Sequence, residues 1–145
     1  MKITYKGDYA LKAVLDLALN SGKLVTIHDL AKHTDIPVKF LEQVLLDLKK
    51  GGFVESKRGK VGGYLLAKHP SQIKLGEVIR FIDGPIEPIG CVGGKYSGCA
   101  DTYSCVFRRI WSQVAQATSA IIDHITFEDL ASQTTLSKQE FIYNI

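Results

Sequence analysis

The hydrophobic period of the chain changes at Gly51-Gly52, and this constrains the fold more than any other feature of the sequence. Before it, apolar residues recur at helical spacing in three successive segments. After it, FVESKRGKVGGYLLA (53–67) carries two short apolar runs around a basic, glycine-rich link. Residues 8–20, DYALKAVLDLALN, are rich in Ala and Leu and hold no breaker. They predict a helix buried on most sides and stopped by Ser21-Gly22. Thr26 followed by Asp29 has the spacing of a capping box, so a short second helix is expected with Ile27, Leu30 and Ala31 on one face. Pro37 suits the first turn of a third helix, where its missing N–H is not needed. PVKFLEQVLLDLKK (37–50) then sets Val38, Leu41, Val44, Leu45 and Leu48 on one stripe, with Lys39, Glu42, Gln43 and Lys49 or Lys50 facing elsewhere. Phe53-Val54 and Tyr64-Leu65-Leu66 read as hairpin strands. LGEVIRFI (75–82) predicts another short amphipathic helix.

From about 103 to 125 a long helix is expected. Tyr103, Phe107, Ile110, Val114, Ala117, Ile121 and Ile125 are spaced 4, 3, 4, 3, 4, 4, close to a heptad seam. Thr126 to Asp129 has capping-box spacing and opens a short last helix, FEDLASQ. The expected fold class is mainly α with a small β-hairpin wing, a winged helix-turn-helix plus a long helix. The winged unit covers 1–82, a cysteine-rich loop 83–105, the long helix and the short one after it 103–133, and a loosely held tail 134–145.

A chain of 145 residues buries roughly 70% of its unfolded surface and needs no disulfide staples. No apolar run is long enough for a membrane span. The first apolar stretch carries Lys12 and Asp16 and lacks a small-residue cleavage site, so it is not a signal peptide and a cytoplasmic location is expected. Residues 1–70 hold 12 Lys/Arg against 7 Asp/Glu, whereas 71–145 hold 6 against 8. The positive charge belongs to the first half and suggests a polyanion partner there.

Three helices followed by a basic hairpin form the order of a DNA reader. The second helix supports the third, and the third enters the major groove of double-stranded DNA. Lys39, Phe40, Glu42 and Gln43 occupy the groove-facing side. Lys57, Arg58 and Lys60 on the wing reach phosphates or the adjacent minor groove. The sequence shows no phosphate-binding loop and no nucleophile–base pair with an orienting acid, so no enzyme activity is expected.

All three cysteines lie in CVGGKYSGCADTYSC (91–105), spaced C-x7-C-x5-C. Clustered thiols in a reducing compartment point to metal or redox chemistry. No C-x2-C pair suggests zinc. Thiolates are the usual ligands of iron–sulfur clusters, and three leave a cluster one ligand short. A bare thiol sensor is the alternative. Packing as small buried hydrophobes fits poorly with flanks such as Gly90, Gly98 and Ser104.

Together these pieces resemble the Rrf2 family of bacterial winged-helix regulators, in the iron–sulfur-binding branch. The resemblance is carried by MKITYKGDYALKAVLDLAL, FLEQVLLDLKKGGFVESKRGKVGGYLLAK, LGEVIRFID, the three cysteines and ITFEDL. It implies a transcriptional repressor or activator acting as a homodimer on a palindromic operator, held together by the long helix through Phe107, Ile110, Val114, Ala117, Ile121 and Ile125. It implies that Cys91, Cys99 and Cys105 bind an iron–sulfur cluster that senses iron, nitric oxide or redox state. In two-iron members a histidine three residues after the last cysteine completes the site; here that residue is Arg108. Four-iron nitric-oxide sensors use an aspartate from the partner subunit, and Asp8 holds that position. A four-iron (4Fe-4S) cluster is therefore favoured over a two-iron (2Fe-2S) one, with Asp8 from the second subunit as fourth ligand. His33 is a second candidate ligand, and Asp8 could instead be only the cap of the first helix. Glu42 and Arg58 correspond to DNA-contacting positions of the family, while Lys39 departs from its usual small hydroxyl residue. Two other readings stand beside this one: a cluster-free thiol-switch regulator, and a module that docks on a metabolic enzyme.

Overall fold

Small residues decide how the N-terminal helix packs. In α1 (Tyr5–Leu19) Ala10, Ala13, Val14 and Leu17 are buried, and the two alanines let neighbouring backbones approach closely. A computed structural model describes residues 2–93, 98–99 and 103–144 of the chain. Around α1 lie α2 (Ile27–Thr34), α3 (Val38–Lys50), α4 (Leu75–Asp83) and α6 (Phe127–Tyr143). A hairpin of β1 (Val54–Lys57) and β2 (Gly63–Leu66) follows α3, and α5 (Val106–Ile122) separates the cysteine loop from α6. This is the winged helix-turn-helix that the change of period predicts.

The stripe on α3 is buried as expected at Leu41, Val44, Leu45 and Leu48. It packs with Leu30 of α2, Val78 of α4 and Phe127 of α6 in one core. Burying each such leucine contributes about 2 kcal/mol. The turn between α2 and α3 passes through Asp35 at φ 56°, a left-handed conformation that aspartate tolerates better than most residues. In the hairpin, Val54 lies opposite Leu66 and Lys57 opposite Gly63. Tyr64 of β2 also exchanges two backbone hydrogen bonds with Val25, 2.9 and 2.8 Å, which ties the base of the wing to the segment before α2.

Three boundaries differ from the sequence expectation. Helix α1 begins at Tyr5, three residues early, because Thr4 caps it and is held from far along the chain. The Thr4 hydroxyl accepts from the Gly7 N–H and donates to Asp83, at the end of α4, across 2.5 Å. Asp8 is therefore not the helix cap. The long helix starts at Val106 and ends at Ile122, so Tyr103 stands in the preceding turn and Ile125 beyond the end. The last helix is longer than FEDLASQ: α6 continues to Tyr143. Its threonines oppose helix weakly, and the hydroxyls of Thr134 and Thr135 donate to the carbonyls of Leu130 and Ala131 one turn back.

After α5 the chain returns to the core. Leu75 donates to the Ile125 carbonyl, Phe127 donates to the Ile73 carbonyl, and the Phe127 side chain is buried. Arg80 of α4 binds both carboxylate oxygens of Asp123, at 2.5 and 3.1 Å, and the Ser119 hydroxyl at 3.1 Å. The C-terminal end of α5 is thus fixed to α4, and α4 packs on α1.

Candidate functional site

The outward face of α3 is set by what its inward face buries. With Leu41, Leu45 and Leu48 inside, Lys39, Phe40, Glu42 and Gln43 are left exposed, as the spacing predicts. The same face continues through Leu46, which is 48% exposed, to Lys49. The sequence expectation sets Lys49 or Lys50 off the buried stripe with Lys39, Glu42 and Gln43, but names neither Leu46 nor Lys49 as groove-facing. Leu46 lies off the buried stripe, at helical spacing from Lys39, Glu42 and Gln43, and that was the available signal. An exposed leucine on such a face suits a thymine methyl group.

Phe40 leans back on α1. Its ring lies 6.1 Å from that of Tyr9, and the Lys39 ammonium sits 4.9 Å above it. Gln43 donates weakly to Asp47 at 3.4 Å. Asp47 is paired with Lys6 of α1 at 2.6 Å, and that hydrogen bond holds its carboxyl below the usual range. Lys57, Arg58 and Lys60 are all exposed on the wing. An open groove between α3 and the wing is lined by Glu42, Leu46, Lys49, Lys57, Arg58 and Tyr64. The structure therefore brings Glu42 of the predicted reading helix and Lys57 and Arg58 of the wing to one concave surface, while Lys39, Phe40, Gln43 and Lys60 are exposed outside its lining.

The cysteine loop leads into α5. Cys91 lies in a short 3-10 turn, Gly90–Gly93, and is half-buried. Cys105 is the N-cap of α5 and also half-buried, while Cys99 is exposed. The Arg108 Nε on the first turn of α5 donates to the Cys91 carbonyl at 3.2 Å, so the two ends of the loop are connected. Residues 94–97 and 100–102 of the loop lie outside the described residues. None of the three cysteines forms a disulfide. Three thiols are the donor type that iron–sulfur clusters take, and Cys105 faces the positive end of the α5 dipole, so the donor set fits such a group. Among the described residues no three His, Cys, Asp or Glu side chains converge as a metal site. Among the described residues of one copy, neither Asp8 nor His33 therefore joins two thiols in such a group.

Asp8 is partly exposed and pairs with Lys12 one turn on, at 2.7 Å, which raises the Lys12 ammonium above its ordinary value. The His33 Nδ1 lies 3.0 Å from an oxygen of the largely covered Asp16. A carboxylate on one ring nitrogen fixes the orientation of the imidazole.

On α5 no side chain is buried. Phe107 is 65% exposed and Ile121 64%, and Ile110, Val114 and Ala117 are exposed with them. Ile125 lies apart from this row, half-buried beside Leu75. An apolar face of this extent on one helix marks an interaction surface. Among the described residues, no helix is long and apolar enough to cross a membrane.

Comparison with known proteins agrees with this architecture. The profile of the Rrf2 family, described as "Iron-dependent Transcriptional regulator", matches residues 3–133. An rrf2-like HTH-type transcriptional regulator of Rhodobacter capsulatus is 40% identical over 136 residues, covering 88% of this chain and 91% of the relative. The HTH-type transcriptional regulator IscR of Klebsiella pneumoniae is 36% identical over 133 residues, covering 91% and 80%. Among solved structures, CymR, the global cysteine regulator of B. subtilis, superposes with a TM-score of 0.78 at 31% identity, covering 92% of this chain and 98% of that one. A winged helix-turn-helix matched along nearly its whole length by these regulators places the chain in the Rrf2 family of transcriptional regulators.

Proposed function

We propose that the chain acts as a homodimer on a palindromic operator and senses iron, nitric oxide or redox state through an iron–sulfur cluster. Cys91, Cys99 and Cys105 hold the cluster, with Asp8 of the partner subunit as fourth ligand to a four-iron form. One observation carries this reading: Cys105 holds the N-cap position of the exposed apolar helix and Arg108 in its first turn is tied to the Cys91 carbonyl, with Cys99 exposed in the same loop. When bound, such a cluster supplies a group that oxidants, nitric oxide and iron shortage modify or remove.

The chain's own residues relay the change. Arg108 couples the loop to the start of α5, and Arg80 and Asp123 couple its end to α4. The apolar row on α5 pairs two subunits, so each reading helix is posed against its partner across one turn of DNA, about 34–36 Å. Lys39, Glu42, Gln43 and Leu46 meet base edges, while Lys57, Arg58 and Lys60 meet the backbone or minor groove.

A second reading keeps the DNA surface and uses the cysteines as a thiol switch without a cluster. It is favoured by the exposure of Cys99 and by the likeness to a cysteine regulator. Duplex affinity at fixed salt, measured with the anaerobic protein before and after iron chelation, tests the proposal. A coupling of 1–3 kcal/mol, roughly 5- to 150-fold in affinity, is expected. Equal affinity in the two states would overturn cluster sensing.

A further inference from the structure

Lys49 belongs both to the reading face of α3 and to the mounting of the wing. It lies in the last turn of α3, and its ammonium donates to the Ser56 hydroxyl on β1 across 2.7 Å. We propose that Lys49 is a positioning residue for DNA recognition: through Ser56 it sets the angle of the wing to the reading helix, and with it the spacing of major-groove and minor-groove contacts that an operator must offer. This rests on the reading that α3 and the wing both touch DNA.

The two strands of the wing are mounted differently. β2 is tied by its backbone, through the two Val25–Tyr64 hydrogen bonds. Gly63 lies so close to that segment that a Cβ on it would stand 2.7 Å from the Val25 carbonyl oxygen. β1 instead leaves α3 through Gly51-Gly52-Phe53, with Gly52 at φ 76° and the Phe53 N–H bonded to the Leu48 carbonyl. Gly52 is the permissive residue of this joint, while Gly51 is packed against the Phe81 and Phe53 rings. Past that joint, where Ser56 pairs with Tyr64 of β2, the Lys49–Ser56 bond adds a direct tie from the reading helix to the strand. Its acceptor is a neutral hydroxyl, so the charge of Lys49 is not cancelled and still faces the groove. The rival role is therefore a direct contact to phosphate, which would draw Lys49 away from Ser56 when DNA arrives.

The two roles differ in what they leave unchanged. A phosphate contact adds to every duplex alike and raises the salt dependence. A strut affects only the duplex whose contacts fit the set angle. The full chain would first select a palindromic duplex from a random-sequence pool. Affinity for that duplex and for an unrelated one would then be measured across a salt series for wild type, Lys49→Met, Ser56→Ala, the double variant and Ser56→Thr. Each of Lys49→Met and Ser56→Ala is expected to weaken the selected duplex by about fivefold, the size of one accessible hydrogen bond. The double variant should be no weaker than either single one, Ser56→Thr should retain wild-type affinity, and the salt slope and the unrelated duplex should be unaffected. The proposal is overturned if Lys49→Met lowers the salt slope by about one while Ser56→Ala is neutral, since Lys49 is then a phosphate contact. It is equally overturned if both single variants bind the selected duplex like wild type. If wild type binds no duplex in a salt-dependent way, the reading of the DNA surface fails, and this inference with it.

Discussion

Gly63→Ala is the substitution that most directly tests how the wing is mounted. A Cβ at this position would meet the Val25 carbonyl oxygen at 2.7 Å, its carbon at 3.0 Å and the Thr26 nitrogen at 3.3 Å. All three are backbone atoms, so no side chain can swing aside. The wing must move off, and the two Val25–Tyr64 hydrogen bonds at 2.9 and 2.8 Å are strained or lost. Two such bonds contribute about 2 kcal/mol together. Overpacking adds about 1 kcal/mol at least. Restricting the unfolded chain returns about 0.5–1 kcal/mol. The net loss is about 2–3 kcal/mol, or roughly 6–10 °C in Tm for a chain of this length. Gly52→Ala makes the control. Gly52 has φ 76° and nothing within 4 Å of a Cβ, so it costs only left-handed backbone strain, about 1 kcal/mol before the same return. Thermal unfolding of the two variants beside wild type settles the order. A Tm for Gly63→Ala within about 2 °C of wild type, or no lower than that of Gly52→Ala, refutes the backbone-contact argument.

Further variants test other parts of the account. Arg58→Ala on the exposed wing should lower the slope of log affinity against log salt by about one and leave Tm unchanged. Phe127→Ala removes a ring that is 1% exposed and should cost about 3–5 kcal/mol in urea unfolding, because it seals α6 to the core. Arg80, bonded to Asp123, holds that carboxyl below its ordinary value of 3.8. A depressed carboxylate adds stability above its unfolded value and loses it as the pH falls through the folded one. Acid unfolding of Arg80→Met, followed by circular dichroism below about pH 4, should therefore be less steep than that of wild type.

The parts of the fold that sequence made legible are those written in short-range periodicity. The α3 stripe is an instance: Leu41, Val44, Leu45 and Leu48 are spaced for one face and bounded by Pro37 and Gly51-Gly52, and all four are buried. The basic hairpin was legible from its change of period and its glycines. What escaped depends on distant or weak signals. The start of α1 is fixed by Asp83 acting on Thr4 from 79 residues away. The length of α6 was hidden by threonines and serines of low helix propensity; the hydroxyls of Thr134 and Thr135 find carbonyls one turn back. Leu46 was missed because it lies off the buried stripe and carries no polar group that would suggest a base contact. In the candidate sensing site, the donors were legible from composition, since all the cysteines fall in one loop. Their placement relative to one another was not, because a glycine-rich loop has no period. Asp8 could be named only by likeness; within one chain its partner is Lys12.

The central claim is that this loop holds a cluster, and the anaerobic protein can answer it directly. Absorption and native mass spectra of wild type would be recorded beside Asp8→Ala and Cys99→Ser. The account predicts a brown wild-type dimer whose mass fits one four-iron cluster per subunit, with the cluster lost or labile in both variants. A dimer that stays colourless after anaerobic reconstitution with iron and sulfide would contradict it, and would leave the three thiols to act as a switch by themselves.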